Sequence, residues 1–157
     1  MNSLCSRVFL VVATGVSLVS CQTAQNADSA AVVEAARRVV TSHEQFVRSG
    51  DLRGVMSNVA EDMVVLAPNV PLTEGKAAVE ALYRSFLASG RFELVHDYRG
   101  SRVAGDTVVF HGIARGTFTP PNGQPSSFAN NFFLVLKKQP SGRYLLWRSA
   151  FAPAGGS

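Results

Sequence analysis

The sequence predicts an α+β fold, a cone-shaped roll in which three N-terminal helices pack on a curved antiparallel sheet. Four long apolar runs fill residues 91–152, and their content of Val, Phe, Tyr and Leu favours strands. Short turn signals containing Gly or Pro separate these runs, at residues 104–106, 120–123 and 140–142. Stretches with helical spacing come before the strands, which is an order typical of α+β proteins. Long strands twist and curl, so the packed face of the sheet can become a concave wall.

Residues 1–20 are predicted to form a lipoprotein signal peptide. Arg7 precedes an apolar run at residues 8–19, which is too short to span a bilayer as a mature helix. The run ends in Leu-Val-Ser before Cys21, and this pattern resembles the lipobox of bacterial lipoproteins. The resemblance implies cleavage before Cys21 and lipidation of that residue. The alternative is an ordinary signal peptide that happens to contain a Cys.

The use of cysteine agrees with an anchor at Cys21. The other cysteine, Cys5, lies in the segment predicted to be removed, so no disulfide is expected. Residues 21–28 are mostly small and polar, and we expect them to be the lipidated Cys and a tether. Gln22 stands where an Asp would imply retention in the inner membrane. We therefore expect an exported protein that is lipid-anchored on the periplasmic face of the outer membrane.

Residues 29–152 are predicted to form the folded domain, followed by a tail at residues 153–157. Asp28 or Ser29 can cap its first helix. Apolar spacing and turn residues predict, in order, a helix over 32–47 that Gly50 ends, a short helix after Asp51, a strand over 63–67, a loop over 69–74 and a helix from near Gly75 that includes 79–86.

The composition and motifs exclude several classes of function. The net charge is +4, but Lys and Arg are scattered without interleaved aromatic residues, so no nucleic-acid partner is expected. There is no nucleophile motif, glycine-rich phosphate loop or dinucleotide fingerprint. The three histidines, His43, His96 and His111, are far apart and lack a short metal-ligand motif. We therefore expect neither a metal nor a cofactor.

Four stretches of the domain carry a family resemblance: "SGDLRGVMSNVAEDMVVLAP", "EGKAAVEALYRSFL", "AGDTVVFHG" and "SGRYLLWRSAF". Together they resemble the nuclear-transport-factor-2-like superfamily, and above all its SnoaL-like and ketosteroid isomerase-like members. The resemblance extends over residues 32–152 and implies a cystatin-like fold with a pocket inside the cone. It marks the fold well and the function poorly, because this fold hosts unrelated activities.

The resemblance also implies roles for single positions. In the isomerases a carboxylate base precedes the Pro that ends the first strand, and that position here is Ala67, which cannot accept a proton. The first-helix Tyr donor falls on His43, and a pocket Tyr of the third helix falls on Tyr83. The protonated Asp donor falls on Asn130, or on Asn131 if the register slips. A donor set thus remains without its base, and steroid-type isomerisation is not expected.

The same comparison predicts which face of each strand looks into the pocket. Because side chains alternate along a strand, one inward residue sets the others. The predicted inward residues are His111, Ile113 and Arg115 on the second meander strand, Asn130, Phe132 and Leu134 on the third, and Leu145, Trp147, Ser149 and Phe151 on the last. Phe110 and Phe133 are then expected on the outer face.

Each polar candidate has a plain structural alternative. His43 is either a buried neutral histidine bonded to Tyr83 or backbone, or a ligand donor or acid–base group. Arg115 either pairs with a ligand carboxylate or phosphate or faces water at the rim. Asn130 either orients a polar ligand or caps the start of a strand. Trp147 is a wall or core aromatic residue rather than a specific stacking platform.

The leading prediction is a membrane-anchored domain whose pocket binds a small, largely apolar ligand with a polar or anionic end, without strong catalysis. One alternative is an isomerase, dehydratase or cyclase with His43 or His111 as general base. A second alternative is an assembly domain that forms a homodimer through the outer sheet face. The candidate ligand-binding residues are His43, Tyr83, His111, Arg115, Asn130, Trp147, Ser149 and Phe151.

Overall fold

The computed structural model describes the backbone of residues 19–155 and the side chains of residues 29–155. This part of the chain contains the helices α1 (Val19–Ser49), α2 (Leu52–Ser57) and α3 (Lys76–Ala88), and the strands β1 (Val59–Leu66), β2 (Thr73–Glu74), β3 (Arg91–Ala104), β4 (Thr107–Thr119), β5 (Ser126–Lys138) and β6 (Tyr144–Pro153). The predicted fold class of helices packed on a curved sheet is confirmed. The predicted signal peptide lies almost entirely outside the described residues, as does the side chain of Cys21.

The six strands form one sheet in the order β2-β1-β6-β5-β4-β3. The four strands of the predicted meander are antiparallel to their neighbours, but β1 pairs with β6 in parallel. The sheet is therefore mixed rather than antiparallel throughout. The alternation of side chains is the same in both kinds of pairing, so the sequence pattern of β1 did not reveal its direction. Strand β2 adds a two-residue edge within the stretch predicted to be a loop.

Helix α1 begins at Val19, well before the predicted caps at Asp28 and Ser29. Residues 21–28, the predicted tether, are helical in the structure, because Ala and Gln favour helix and neither Gly nor Pro interrupts this stretch. Among the residues whose side chains are described, the buried stripe of α1 faces the sheet. It consists of Ala36, Val40, His43 and Val47. No helix within residues 19–155 combines the length and the hydropathy that a membrane span requires.

Two glycines of β4 allow the paired strand β3 to approach it closely. A Cβ atom at Gly112 would collide with the Asp97 carbonyl oxygen, and one at Gly116 would collide with the Glu93 carbonyl oxygen. Only glycine allows the backbone of β3 to approach this closely. The β3–β4 register also shifts just after Tyr98, and such an irregularity bends a strand. Both features favour a local bend in the β3–β4 pair.

The predicted inward face of β4 is wrong. Phe110, predicted on the outer face, is fully buried in the core, whereas His111 and Arg115, predicted in the pocket, are exposed. Apolar residues occupy both faces of this strand, with Val109 and Ile113 opposite Phe110, so alternation by itself could not choose between them. The predicted outward position of Phe133 on β5 is confirmed, since 48% of this residue is exposed. Self-association through this face stays a prediction.

On β6 the predicted face is half right. Ser149 and Phe151 line the cavity as expected, but a register shift against β5 makes Leu146, rather than Leu145 or Trp147, the next inward residue. Trp147 lies on the outer side, where its Nε1 donates a hydrogen bond to Asp62 Oδ2 at 2.8 Å. An extra residue in one strand reverses the facing of everything beyond it. The assumption of unbroken alternation failed at this point.

Two phenylalanines next to His111 test which face of β4 and β5 is buried. Phe110 precedes His111 in the chain, and Phe133 lies opposite it on β5. Phe110→Ala should lower the free energy of unfolding by about 3–5 kcal/mol, because it leaves a cavity in the core. Phe133→Ala on the neighbouring strand is the matched control and should cost less than about 1 kcal/mol. Urea unfolding followed by circular dichroism measures both. Equal costs for the two variants would contradict the facing.

Candidate functional site

A cavity of about 520 Å³ lies between the concave face of the sheet and the helices α1 and α3. This volume is within the range of small-molecule sites. Its walls are mostly apolar and comprise Val40, Val47, Met63, Val65, Ala67, Pro68, Val70, Leu82, Phe86, Phe92, Leu94, Ala114, Phe128, Leu134, Leu146, Phe151 and Pro153. Its polar lining residues are His43, Asn69, Tyr83, His96, Asn130 and Ser149.

His43 and Tyr83 form a hydrogen-bonded pair that joins α1 to α3. His43 Nε2 lies 2.8 Å from the Tyr83 hydroxyl oxygen, and the two rings meet edge to face with their centroids 5.3 Å apart. His43 is also buried. The predicted hydrogen bond between His43 and Tyr83 is therefore present in a buried position. The direction of this hydrogen bond depends on the tautomer, because either Tyr83 donates to Nε2 or the Nε2–H donates to Tyr83.

Burial keeps both members of this pair uncharged. It lowers the pKa of His43 from 6.5 to about 4, with a further contribution from the positive charge that His96 can carry. The Val55 carbonyl opposes this shift but makes no hydrogen bond of good geometry with Nδ1, which has no partner among the described residues. Burial also raises the pKa of Tyr83 well above its ordinary value. Near neutral pH the pair is therefore a neutral imidazole beside a protonated hydroxyl.

A second buried pair, Glu44 with His96, was missed by the sequence analysis. His96 Nδ1 lies 2.6 Å from Glu44 Oε1, and the backbone N–H of His96 donates to the same oxygen at 3.1 Å. The side chains are 3% exposed for His96 and 12% exposed for Glu44. The opposite nitrogen, His96 Nε2, is buried without a hydrogen-bond partner among the described residues.

A signal for His96 was present in the sequence. Phe92, Leu94 and His96 share one face of β3, while Arg91, Glu93 and Asp97 share the other with a single apolar residue, Val95, so period two places His96 on the more apolar face. The buried and exposed positions of β3 follow this alternation up to Tyr98. Glu44 had no comparable signal, because it lies beside the apolar stripe of α1 rather than within it.

The structure brings together five of the eight predicted ligand-binding residues: His43, Tyr83, Asn130, Ser149 and Phe151. On β5 it is Asn130 that lines the cavity, while Asn131 is exposed. Their contact with a ligand stays a prediction.

The other three predicted residues, His111, Arg115 and Trp147, are absent from the cavity lining. Trp147 instead stacks with Arg148, whose guanidinium carbon is 4.0 Å from the ring centroid. No Lys, Arg, Asp or Glu side chain among the described residues lines the cavity. The predicted partner for an anionic ligand group is thus not in the site.

Ala67 lies in the cavity wall, where it offers only a methyl group. Within the side chains that the structure describes, no group of three or more His, Cys, Asp or Glu residues is arranged to hold a metal ion.

Comparison with known proteins identifies a family. A profile of the family described as SnoaL-like domain matches residues 36–140. No curated protein matches this sequence with significant similarity.

Several solved structures share the fold. A ketosteroid isomerase-like protein from Erwinia carotovora atroseptica SCRI1043 superposes with a TM-score of 0.71 at 17% identity, covering 79% of this chain and 97% of that chain. A protein with a cystatin-like fold from Novosphingobium aromaticivorans has a TM-score of 0.65 at 19% identity, covering 91% of this chain and 94% of that one. At these identities the likeness shows the fold alone.

The low pKa of His43 predicts a pH dependence of stability. The folded state holds His43 neutral down to about pH 4, whereas the unfolded chain takes up the proton near pH 6.5. The stabilisation is therefore fully present above pH 6.5 and decreases as the pH falls toward about 4, by up to about 3 kcal/mol. Urea unfolding across this range should show that decrease for the parent protein, and a smaller one for His43→Gln.

The exposed histidine provides the control for this experiment, because His111→Gln replaces an imidazole on the surface without touching the cavity. It should keep the parental loss of stability between these pH values. If His43→Gln also keeps it, then His43 is not the group that stays neutral in the folded state.

Proposed function

The chain belongs to the SnoaL-like domain family, and we propose that it binds a small, largely apolar and uncharged molecule in the cavity of its cone. The observation that carries the proposal is a cavity of about 520 Å³ with apolar walls and a few polar groups, none of which is a Lys, Arg, Asp or Glu side chain. Such a cavity rewards a ligand that removes apolar surface from water.

The absence of fixed charge among the described lining residues supports an uncharged ligand. A carboxylate or phosphate that entered would lose its hydration without gaining an Arg or Lys partner, and burial of an unpaired ion is costly. His43 cannot supply the missing charge, because its pKa of about 4 keeps it neutral near neutral pH. The other lining histidine, His96, is already paired with Glu44. The ligand is therefore expected to have a polar end that carries no negative charge.

The polar end of the ligand is best served by the His43–Tyr83 pair and Asn130. A hydroxyl or carbonyl oxygen can accept from or donate to these groups, since imidazole, phenol and amide together offer both donors and acceptors. One similar solved structure is a ketosteroid isomerase-like protein. In this chain, however, the position where the family resemblance implies a base is Ala67, which cannot accept a proton. Binding does not depend on that base.

Two probes of similar size and opposite charge state test the proposal. The neutral 2-naphthol should bind at least about tenfold more tightly than the 2-naphthoate anion, because only the anion pays for unpaired charge. Tyr83→Phe should weaken 2-naphthol binding by about three- to tenfold through the lost hydrogen bond, and Arg115→Ala should leave it unchanged as an outer-face control. Fluorescence titration measures all of these. Tighter binding of 2-naphthoate than of 2-naphthol would contradict the proposal. Loss of 2-naphthol binding in Arg115→Ala would contradict it as well.

We further propose that the domain is displayed on a membrane through lipid at Cys21. The proposal is supported by the lipobox-like residues before Cys21 and by the lack of any cysteine after it. The outer membrane, rather than the inner membrane, is favoured by Gln22.

Replacing the anchor residue tests this second proposal. Cys21→Ser should leave the protein unprocessed or in the soluble fraction, because the full lipid set is required for stable anchoring. Membrane fractionation and intact-mass measurement provide the readouts. Normal cleavage together with unchanged membrane partition in the variant would contradict the lipid anchor at Cys21.

A further inference from the structure

We propose that a second groove of this domain binds a phosphate monoester, with Arg38 and Arg143 as the residues that pair with the phosphate. The groove has a volume of about 300 Å³ and lies between α1 and the turn that joins β5 to β6. This volume is at the lower end of the range of small-molecule sites. Among the described residues the groove shares no lining residue with the apolar cavity, so the proposal does not depend on the function proposed above.

The charge of the groove sets it apart from the cavity. Two arginines line it, Arg38 from α1 and Arg143 from the turn, and no Asp or Glu among the described residues does. Because these long side chains border the same groove from two different elements, both guanidinium groups can reach one anion bound there. The groove therefore favours a negatively charged ligand, whereas the cavity disfavours one.

Neither arginine is held by a strong ion pair. Arg38 Nη1 lies 4.0 Å from Glu34 Oε1, and 68% and 57% of the two side chains are exposed. Glu34 is also shared with Arg37, whose Nε lies 3.8 Å from the other carboxylate oxygen. Exposed pairs of this kind contribute little free energy. Arg143 forms no ion pair with a carboxylate among the described side chains, so both arginines are available to a ligand.

Uncharged polar groups of the groove are held in place by hydrogen bonds. Asn58 is only 3% exposed, and its Nδ2 donates to Ser42 Oγ at 2.7 Å. Ser42 Oγ in turn donates to the Val39 carbonyl oxygen at 3.0 Å. A side-chain amide has two N–H groups, so Asn58 keeps one that Ser42 does not use. This N–H can donate to an oxygen of an anion in the groove.

A hydrogen-bonded turn holds Arg143 beside the groove. The Gly142 N–H donates to the Gln139 carbonyl oxygen at 2.8 Å, and the Gln139 N–H donates to the Arg143 carbonyl oxygen at 2.8 Å. Gly142 has a φ of 84°, which glycine adopts without strain. The backbone on both sides of the groove, helix and turn, is therefore ordered before a ligand binds, and this lowers the entropic cost of binding.

A phosphate monoester fits this arrangement better than a carboxylate does. One guanidinium fork can satisfy both oxygens of a carboxylate. A phosphate monoester has three terminal oxygens and carries nearly two negative charges, so it can accept from both arginines and from Asn58. The lining residues Ala35, Val39 and Tyr144 offer apolar surface to the organic part of a small ester.

Phenyl phosphate and benzoate test this preference, because they share an aromatic ring and differ in the anionic group. We would titrate the full-length protein in an uncharged detergent and measure the heat of binding. Phenyl phosphate should bind with a dissociation constant below about 1 mM and at least about fivefold more tightly than benzoate. Weaker binding of phenyl phosphate, or a smaller preference over benzoate, would overturn the proposal.

Arginine variants test the location of the site. Arg38→Gln and Arg143→Gln should each weaken phenyl phosphate binding by at least about fivefold, because each removes one charge-assisted pair. Arg115→Gln is the matched control, since it removes the same charge from the outer face of the sheet and should stay within about twofold. All three residues are exposed, so the variants should keep the fold. Unchanged binding in either groove variant, or equal weakening in all three, would overturn the site.

The NMR signal of the Asn58 side-chain amide gives a readout that needs no substitution. It should shift when phenyl phosphate is added, because the amide is buried at the groove and is reached only by a ligand bound there. An unshifted signal at saturating phenyl phosphate would place the ligand elsewhere and overturn the proposal.

The phosphate monoester can come from a soluble ester or from the headgroup of phosphatidic acid, and competition distinguishes the two sources. Mixed micelles that contain phosphatidic acid should displace phenyl phosphate if the groove takes a lipid headgroup. If phenyl phosphate binds and these micelles do not displace it, the ligand is a soluble ester. Either result supports the site. Displacement by phosphatidylcholine, which has no monoester and no net charge, would overturn it.

Discussion

The close approach of β3 to Gly112 and Gly116 of β4 is the constraint on which the cavity depends. Without a Cβ at these positions, the carbonyls of Asp97 and Glu93 can lie over the concave side of the neighbouring strand. This close approach favours a bent sheet, and the cavity lies between the concave face of that sheet and the helical layer. A flat sheet would pack against α1 and α3 directly and would leave no room for a ligand.

Two buried histidines link the elements around this cavity. His43 joins α1 to α3 through Tyr83, and both groups are kept uncharged by burial. His96 joins β3 to α1 through Glu44, and this link keeps a carboxylate behind the apolar wall. Each pair leaves one imidazole nitrogen without a partner among the described residues. A cavity that is apolar in area therefore keeps hydrogen-bonding capacity at a few places, which is the usual composition of a selective small-molecule site.

Three residues that were predicted in the pocket are absent from the cavity lining: His111, Arg115 and Trp147. Trp147 bonds to Asp62, and the Arg148 guanidinium and Lys137 ammonium groups lie over its ring at 4.0 Å and 4.9 Å from the centroid. This bond to Trp147 is the main reason that the pKa of Asp62 is lowered. The cluster stabilises the junction of β1 and β6 and explains the tryptophan without a ligand. Because Arg115 is exposed and does not line the cavity, the proposed ligand has a neutral polar end rather than an anionic one.

The sequence by itself determined the order of the elements and the presence of a curved sheet, because apolar periodicity and turn residues act locally. The family followed from the resemblance of four stretches of the sequence. The family resemblance placed His43 and Tyr83 where the structure has them, in the cavity wall, but it left Asn130 and Asn131 as alternatives. Only the structure decided for Asn130, because β5 carries apolar residues on both faces. Only the tertiary structure decided the facing of β4 and of Trp147, because a strand with apolar residues on both faces, or with one extra residue, reverses its inward set without changing its composition. The Glu44–His96 pair was decided there as well. Its partners are 52 residues apart, and they meet only because the curl of the sheet brings β3 against α1.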